Sequence, residues 1–303
     1  MVSVRSYVSV NFDMSSKTTV LITGANRGKS HAVKCSVTDI SPSLSRHWEG
    51  IGESLPLRPN HVVIAAVRDP SHPTSQSLST LAAGSGSSLI IVEYDATLDA
   101  SPAEAVRTLQ TRDSITAIDV VIANAARGEF SGSPLQAPLQ GNRDDYNVNT
   151  VGPLAVFQAT FPLLSAAVTN GSIPRFITVT STVGSIGDMA NYPSIATGYG
   201  ASKASLNWIT RRIHFDHPEL IAFPIYPGYV CLAESISNVL IRSDQNTWVQ
   251  SEMGNMGARL SGLSEAPVSI KDCADAVTSR IDNATREETS GKFVCYDDES
   301  PAW

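Results

Sequence analysis

The chain has 303 residues, 42% of them hydrophobic and only 17% charged, so it is long and apolar enough to bury the core of one domain. Its 22 Lys+Arg against 29 Asp+Glu give a formal charge of −7, and no basic run is long enough to follow a phosphate backbone, which argues against a nucleic-acid partner. Cys35, Cys231, Cys273 and Cys295 lie far apart with no CxxC pair, and no HExxH-type cluster occurs, so no metal site and no disulfide framework is expected. No apolar stretch reads as a bilayer span, and MVSVRSYVSVNFD lacks the apolar run and cleavage site of a secretory signal. A cytoplasmic chain without a membrane partner is the expectation.

Seven apolar, β-branched runs follow in order: TTVLIT (18–23), HVVIAAV (61–67), SLIIVEY (88–94), AIDVVIAN (117–124), RFITVT (175–180), LIAFPIY (220–226) and GKFVCYD (291–297). They are continuously apolar and do not alternate, which predicts strands covered on both faces. Helical spacing fills 101–112, 148–167, 202–215 and 270–284. Ser101 followed three positions on by Glu104 predicts a capping box at the first of these. Strand then helix, repeated, predicts parallel strands joined by crossover helices: an α/β, Rossmann-type doubly wound sheet in a single domain.

Two motifs carry chemistry. TGANRG (23–28) ends the first strand in a glycine turn of the kind that lets backbone N–H groups approach a pyrophosphate. In YGASK, Tyr199 and Lys203 stand one helical turn apart on one face, and an ammonium beside a phenol is expected to lower the phenol's pKa toward the range useful for proton transfer.

The motifs in chain order resemble the short-chain dehydrogenase/reductase family: TGANRG its glycine turn, ANAA (123–126) its NNAG segment, YGASK its YxxxK motif and PG (227–228) its turn after the catalytic helix. The resemblance runs from about Thr18 to Phe293. It implies a nicotinamide cofactor and hydride exchange with a ketone or alcohol, and it suggests a homo-oligomer, dimer or tetramer. Tyr199 would be the general acid, and Lys203 would lower its pKa and hold the nicotinamide ribose. Ser181, with Ser185 as runner-up, would polarise the carbonyl, and Asn149 would complete a proton relay through water. Gly24, Arg27, Gly28, Ile51, Asp95, Asn124, Pro227, Gly228, Val249 and Ser251 would line the cofactor cleft. Where NAD-specific members carry an acid after the second strand, this chain has Arg68, with Arg27 in the glycine turn, which suits the 2′-phosphate of NADP(H); Asp69 could instead pair locally or bind ribose.

SEMGNMGARL, APVSIKDCADAV and TREETSGKFVCYDD are similar to fungal ketoreductases related to norsolorinic acid ketoreductase, which implies an aromatic or polyketide-like ketone. Met189, Tyr192, Ile195, Met253 and Met256 would offer apolar pocket surface or pack the core. His214 and His217, near a helix end, read as surface residues facing the dipole.

The chain departs from the family twice. Removing 29–50 restores TGANRGIGESL, and removing 229–247 restores PGWVQSEMG. Both segments begin with residues whose codons can spell a splice donor, so they read either as retained introns or as long surface loops. Residues 1–17 read as an extension without fixed structure, ahead of one domain over 18–303. The competing functions are a non-catalytic NADP-binding regulator on the same fold and an inactive product carrying both insertions.

Overall fold

The computed structural model describes residues 17–25, 58–79, 84–128, 132–191, 196–228, 264, 270–297 and 300–303. The segments 29–50 and 229–247, nearly all of the 1–17 extension, and Arg27, Gly28, Ile51, Val249, Ser251, Tyr192, Ile195, Met253 and Met256 lie outside the described residues.

All seven predicted strands are present: β1 (Thr18–Thr23), β2 (His61–Val67), β3 (Ser88–Glu93), β4 (Val120–Ala123), β5 (Arg175–Val179), β6 (Ile221–Tyr226) and β7 (Val294–Cys295). They form one parallel sheet in the order β3-β2-β1-β4-β5-β6-β7, with β1 paired in register to both β2 and β4. The chain reverses its direction of travel across the sheet between β1 and β4, the place where open α/β sheets leave a crevice at their strand C-termini.

The helices among the described residues are α1 (Pro73–Leu78), α2 (Ser101–Arg112), α3 (Leu139–Tyr146), α4 (Gly152–Thr169), α5 (Thr197–Asp216) and α6 (Ile270–Asp282), with a π-turn at Asn147–Val151 and a 3-10 turn at Thr182–Gly184. Val20 and Ile22 face the layer that includes Cys273, Ala274, Val277 and Ile281 of α6. Leu21 faces the opposite layer, where Leu109 of α2, Phe157 and Leu164 of α4 and Ile213 of α5 pack. Both faces are therefore covered, which is why the strands read as continuous apolar runs. Cys273 and Cys295 are free, buried thiols.

Three expectations are corrected. Ser101 does not cap α2: Ala100 holds the cap position with no side-chain bond, and Ser101 Oγ instead accepts the Asp95 amide at 2.9 Å. The run Leu139–Thr169 is one helix long and apolar enough to cross a membrane by length and composition; here α4 lays Val156, Phe157, Leu163 and Leu164 into the core. His214 does stand in the last turn of α5, but half-buried rather than on open surface: its ring meets Ser290 Oγ at 2.8 Å, while Arg286 donates to the carbonyls of His214 and Leu220 and so closes the end of α5.

At the crevice, buried Thr23 holds β1 to β4. Its Oγ1 accepts the amides of both Asn124 and Ala125 at 3.0 Å, while Asn124 Nδ2 donates to the Thr23 carbonyl at 2.8 Å. Thr23→Val keeps the shape and strands two amides, each expected to cost about 1–3 kcal/mol. Urea unfolding should register that loss, and an unchanged midpoint would show that water replaces the hydroxyl.

Candidate active site

Gly24 ends β1 at φ +68°, and a Cβ there would lie 3.0 Å from Ala125 Cα. The turn thus needs glycine for its conformation and for the close approach of the β4 end. Asn124 and Gly24 both stand at the crevice, as the resemblance implies, although the Asn124 side chain is committed to β1.

Ser181 follows β5 and caps the 3-10 turn, its Oγ accepting the Val183 amide at a long 3.4 Å. Two glycines let this turn lie on α5. A Cβ at Gly184 would meet Lys203 Cβ at 2.7 Å, and one at Gly200 would meet the Val183 carbonyl oxygen at 3.0 Å. Ser181 thereby faces Tyr199, and Lys203, on the next turn of α5, points back beneath β5 to donate to the Val179 carbonyl at 2.7 Å. Ser185 is excluded from the carbonyl-polarising role: it is buried, and its Oγ donates to the Ala302 carbonyl at 2.6 Å and accepts the Asp188 amide.

Tyr199 is 3% exposed and Lys203 2%. The Tyr199 hydroxyl is buried without a hydrogen-bond partner, while Lys203 Nζ lies 5.5 Å from the phenol ring centre. Burial reverses the expected direction of the phenol's shift. Desolvation raises the Tyr199 pKa, the nearby Ser181 hydroxyl opposes this without closing a hydrogen bond, and Asp145 adds to the rise. Desolvation likewise brings Lys203 down to about 7, against the pull of Asp145, which favours the ammonium. In a dry crevice the neutral forms of both groups gain.

Asn149 sits in the π-turn and is fully buried. Its Oδ1 accepts the Arg127 amide at 2.8 Å, and its Nδ2 donates to the Arg127 carbonyl at 2.7 Å and to Ser202 Oγ at 2.9 Å. Ser202 Oγ in turn donates to the Tyr199 carbonyl at 2.7 Å. The side chain is thus bound into the backbone around Tyr199 and is not aimed at the phenol. Sequence reasoning missed Asp145, a fully buried carboxylate held by Arg127 Nε at 3.3 Å, while Arg127 Nη1 reaches Asp144 at 3.0 Å. Only its neighbourhood to Asn149, four residues on, hinted at it.

Around the expected cofactor cleft, Arg68 is exposed at the end of β2. Asp69 turns away into its own loop, where both the hydroxyl and the amide of Ser71 donate to Oδ1 and hold its carboxyl below the usual range. Asp95 Oδ1 accepts the Thr97 amide and hydroxyl, a local turn. Pro227 and Gly228 follow β6, with Gly228 at φ +111° and the Pro227 carbonyl accepting from Cys273 Sγ at 2.8 Å. Met189 is exposed, on the loop after Ser181.

Comparison with known proteins agrees with this geometry. Residues 58–217 match the family model described as enoyl-(acyl carrier protein) reductase. The norsolorinic acid ketoreductase of Dothistroma septosporum is 34% identical over 94% of this chain and 92% of its own length. A short-chain dehydrogenase of Pyricularia oryzae is 36% identical over 94% and 98%. Among solved structures, an NADPH-bound carbonyl reductase from chicken fatty liver superposes with a TM-score of 0.71 at 24% identity, over 95% of this chain and all of that one. The carbonyl reductase Sniffer of Drosophila melanogaster gives 0.69 at 21% over the same shares. The chain belongs to the short-chain dehydrogenase/reductase family and is an oxidoreductase.

The buried ammonium has a measurable consequence without any ligand. Lys203 binds its proton below about 7 when folded and below its ordinary 10.5 when unfolded, so between these limits the unfolded chain holds more protons and Lys203 makes stability rise with pH. Above 9 the Cys273 thiol, pushed up to about 12 by burial, acts in the opposite sense. Melting temperatures between pH 7 and about 9 should therefore rise in a way that Lys203→Met abolishes, and Asp145→Asn should move the onset to lower pH. A flat profile that Lys203→Met does not alter would mean the ammonium is solvated.

Proposed function

We propose that this chain is an NADPH-dependent ketoreductase that reduces an aromatic or polyketide-like ketone to its alcohol in fungal-type secondary metabolism. The observation that carries the reading is the Tyr199 phenol. It is a buried, protonated acid with no partner of its own, between a serine hydroxyl and a lysine that hold no other catalytic task. A binding module has no use for such a group, since an orphaned buried hydroxyl costs stability. The substrate class is supported by the names of the fungal relatives, among them norsolorinic acid ketoreductases of Dothistroma septosporum and Emericella nidulans.

The residues present fit a nicotinamide dinucleotide. Gly24 turns the chain at the end of β1 with φ +68°, Lys203 uses one N–H on Val179 and keeps donors for ribose hydroxyls, and Tyr199 Oη stands unpartnered. Arg68 suits a 2′-phosphate because Asp69, the acid that would repel it, is engaged with Ser71. When bound, the cofactor supplies the hydride that reaches the carbonyl carbon. The Ser181 hydroxyl donates to the carbonyl oxygen as negative charge develops there. Tyr199 delivers its proton to that oxygen, completing the alcohol, and regains a proton from solvent. Lys203 stabilises the transient phenolate, and Asn149 keeps the Tyr199 backbone in place through Ser202.

Assembly as a homo-oligomer also belongs to this reading, supported by Trp208 and Phe215, large rings exposed on α5. One domain over 18–303, with insertions at 29–50 and 229–247, completes it.

Tyr199→Phe is expected to lower kcat by about 10²- to 10⁴-fold while NADPH still binds; full turnover by that variant would overturn Tyr199 as the acid, and NADPH binding by a wild-type chain that turns over no ketone would return the chain to the class of regulators. Nicotinamide fluorescence titrations should give tighter binding of NADPH than NADH, with the preference lost in Arg68→Ala. The same titration on a chain lacking 29–50 and 229–247 separates the two origins of the insertions. Binding by the shortened chain alone identifies them as retained introns, and equal binding by both makes them loops.

A further inference from the structure

Beyond β7 the chain returns toward the active site. Residues 302 and 303 lie along the loop that leaves Ser181, and three residues of that loop bind them. Ser185 Oγ donates to the Ala302 carbonyl at 2.6 Å, the Gly187 amide donates to the Trp303 main-chain oxygen at 2.6 Å, and the Ala302 amide donates to Asp188 Oδ2 at 2.6 Å. The Asp188 amide closes the circuit on Ser185 Oγ at 3.0 Å. Gly187 is shaped for this contact, since a Cβ there would lie 2.7 Å from Ala302 Cβ and 3.1 Å from the Trp303 oxygen. The Trp303 ring is anchored on the far side. The Arg211 guanidinium of α5 sits 4.6 Å from its centre, and it packs on the cluster of Tyr226, Phe293 and Cys295.

These bonds act on a loop with one firm attachment of its own. Gly184 is pressed on Lys203, which fixes Ser181; beyond Gly184, among the described residues, the hydrogen bonds that Ser185, Gly187 and Asp188 make outside the loop go to Ala302 and Trp303. The stretch so held carries Ile186 and Met189, 70% and 61% exposed, two large apolar side chains within eight residues of Ser181. Apolar surface kept in water gains free energy when a flat apolar ligand covers it.

We propose that Ala302 and Trp303 clasp the loop after Ser181 and so hold Ile186 and Met189 as an apolar lip to the substrate site, making Gly187, Asp188 and Trp303 positioning residues that set specificity for bulky ketones. The proposal rests on the ketoreductase reading for its substrate but not for its contact. Because Gly184 secures Ser181 independently, releasing the clasp affects ketone binding and leaves the proton-transfer groups and the cofactor in place.

The test uses the full chain with Trp303→Ala, Asp188→Asn and Gly187→Val, a polycyclic aryl ketone, and a small diketone too short to span the lip. Trp303→Ala and Gly187→Val are expected to raise KM for the aryl ketone about tenfold, with kcat within about threefold, the diketone little affected and NADPH affinity unchanged. Asp188→Asn, which keeps one acceptor oxygen, should show a smaller effect of the same kind. Equal losses on both ketones, or no change on either, overturn the lip. Amide hydrogen exchange supplies a readout that needs no turnover: Gly187 should lose protection in Trp303→Ala while the amides of β5 keep theirs. Unchanged protection at Gly187 overturns the clasp whether or not the chain reduces ketones. A wild-type chain inactive on both ketones, with Gly187 deprotected in the variant, overturns the substrate reading and supports the clasp. If Gly187→Val does not fold, Trp303→Ala carries the test alone.

Discussion

The active site depends on one close approach: the turn after β5 lies directly on α5, at a distance that only Gly184 and Gly200 allow. From it follow the facing of Ser181 and Tyr199, and the path of Lys203 beneath the strand to the Val179 carbonyl. It also dries the crevice. An ammonium and a phenol are held where neither can be fully solvated, an arrangement that costs stability and persists because the surrounding packing enforces it.

A second, polar layer supports the first. Arg127 is gripped through its amide and carbonyl by Asn149 and through its guanidinium by Asp144 and Asp145, while Asn149 reaches Ser202 and, through it, the Tyr199 carbonyl. The π-turn that carries Asn149 interrupts one long helix between α3 and α4 at this point. Such interruptions re-aim a side chain without ending the helix. Asp145 contributes charge as well as structure, since it favours the ammonium of Lys203 and disfavours the phenolate of Tyr199.

The strands were legible because a sheet covered on both faces leaves an unbroken apolar run, and the nearness of Tyr199 to Lys203 because their spacing puts them on one helix face; Ser181 came only through the resemblance. β7 came out shorter than its run since Gly291, at φ +74° and bonded to the Ala222 carbonyl, is still in the turn. α3 was missed: LQGNRDDY has no apolar period, and the helix exists through its continuation into α4 and its packing on α5. The direction of the Tyr199 shift was misjudged for a related reason. A lysine one turn away is visible in the sequence, but the burial that outweighs it is a property of the fold. The clasp was invisible altogether, because Ser185 and Ala302 are 117 residues apart and meet through a hydroxyl and a carbonyl that no motif marks.

The protonation states bear on the direction of the reaction. Reduction needs a phenol that still holds its proton when the carbonyl oxygen becomes basic, and burial raises the Tyr199 pKa to keep it there. Oxidation of the alcohol needs the phenolate as base, which the dry crevice opposes and which only a charged Lys203 relieves. With Lys203 brought down to about 7, raising the pH to form the phenolate also removes the ammonium that would stabilise it. The same desolvation that keeps the phenol protonated therefore opposes the phenolate, and it does so most where Lys203 has lost its charge.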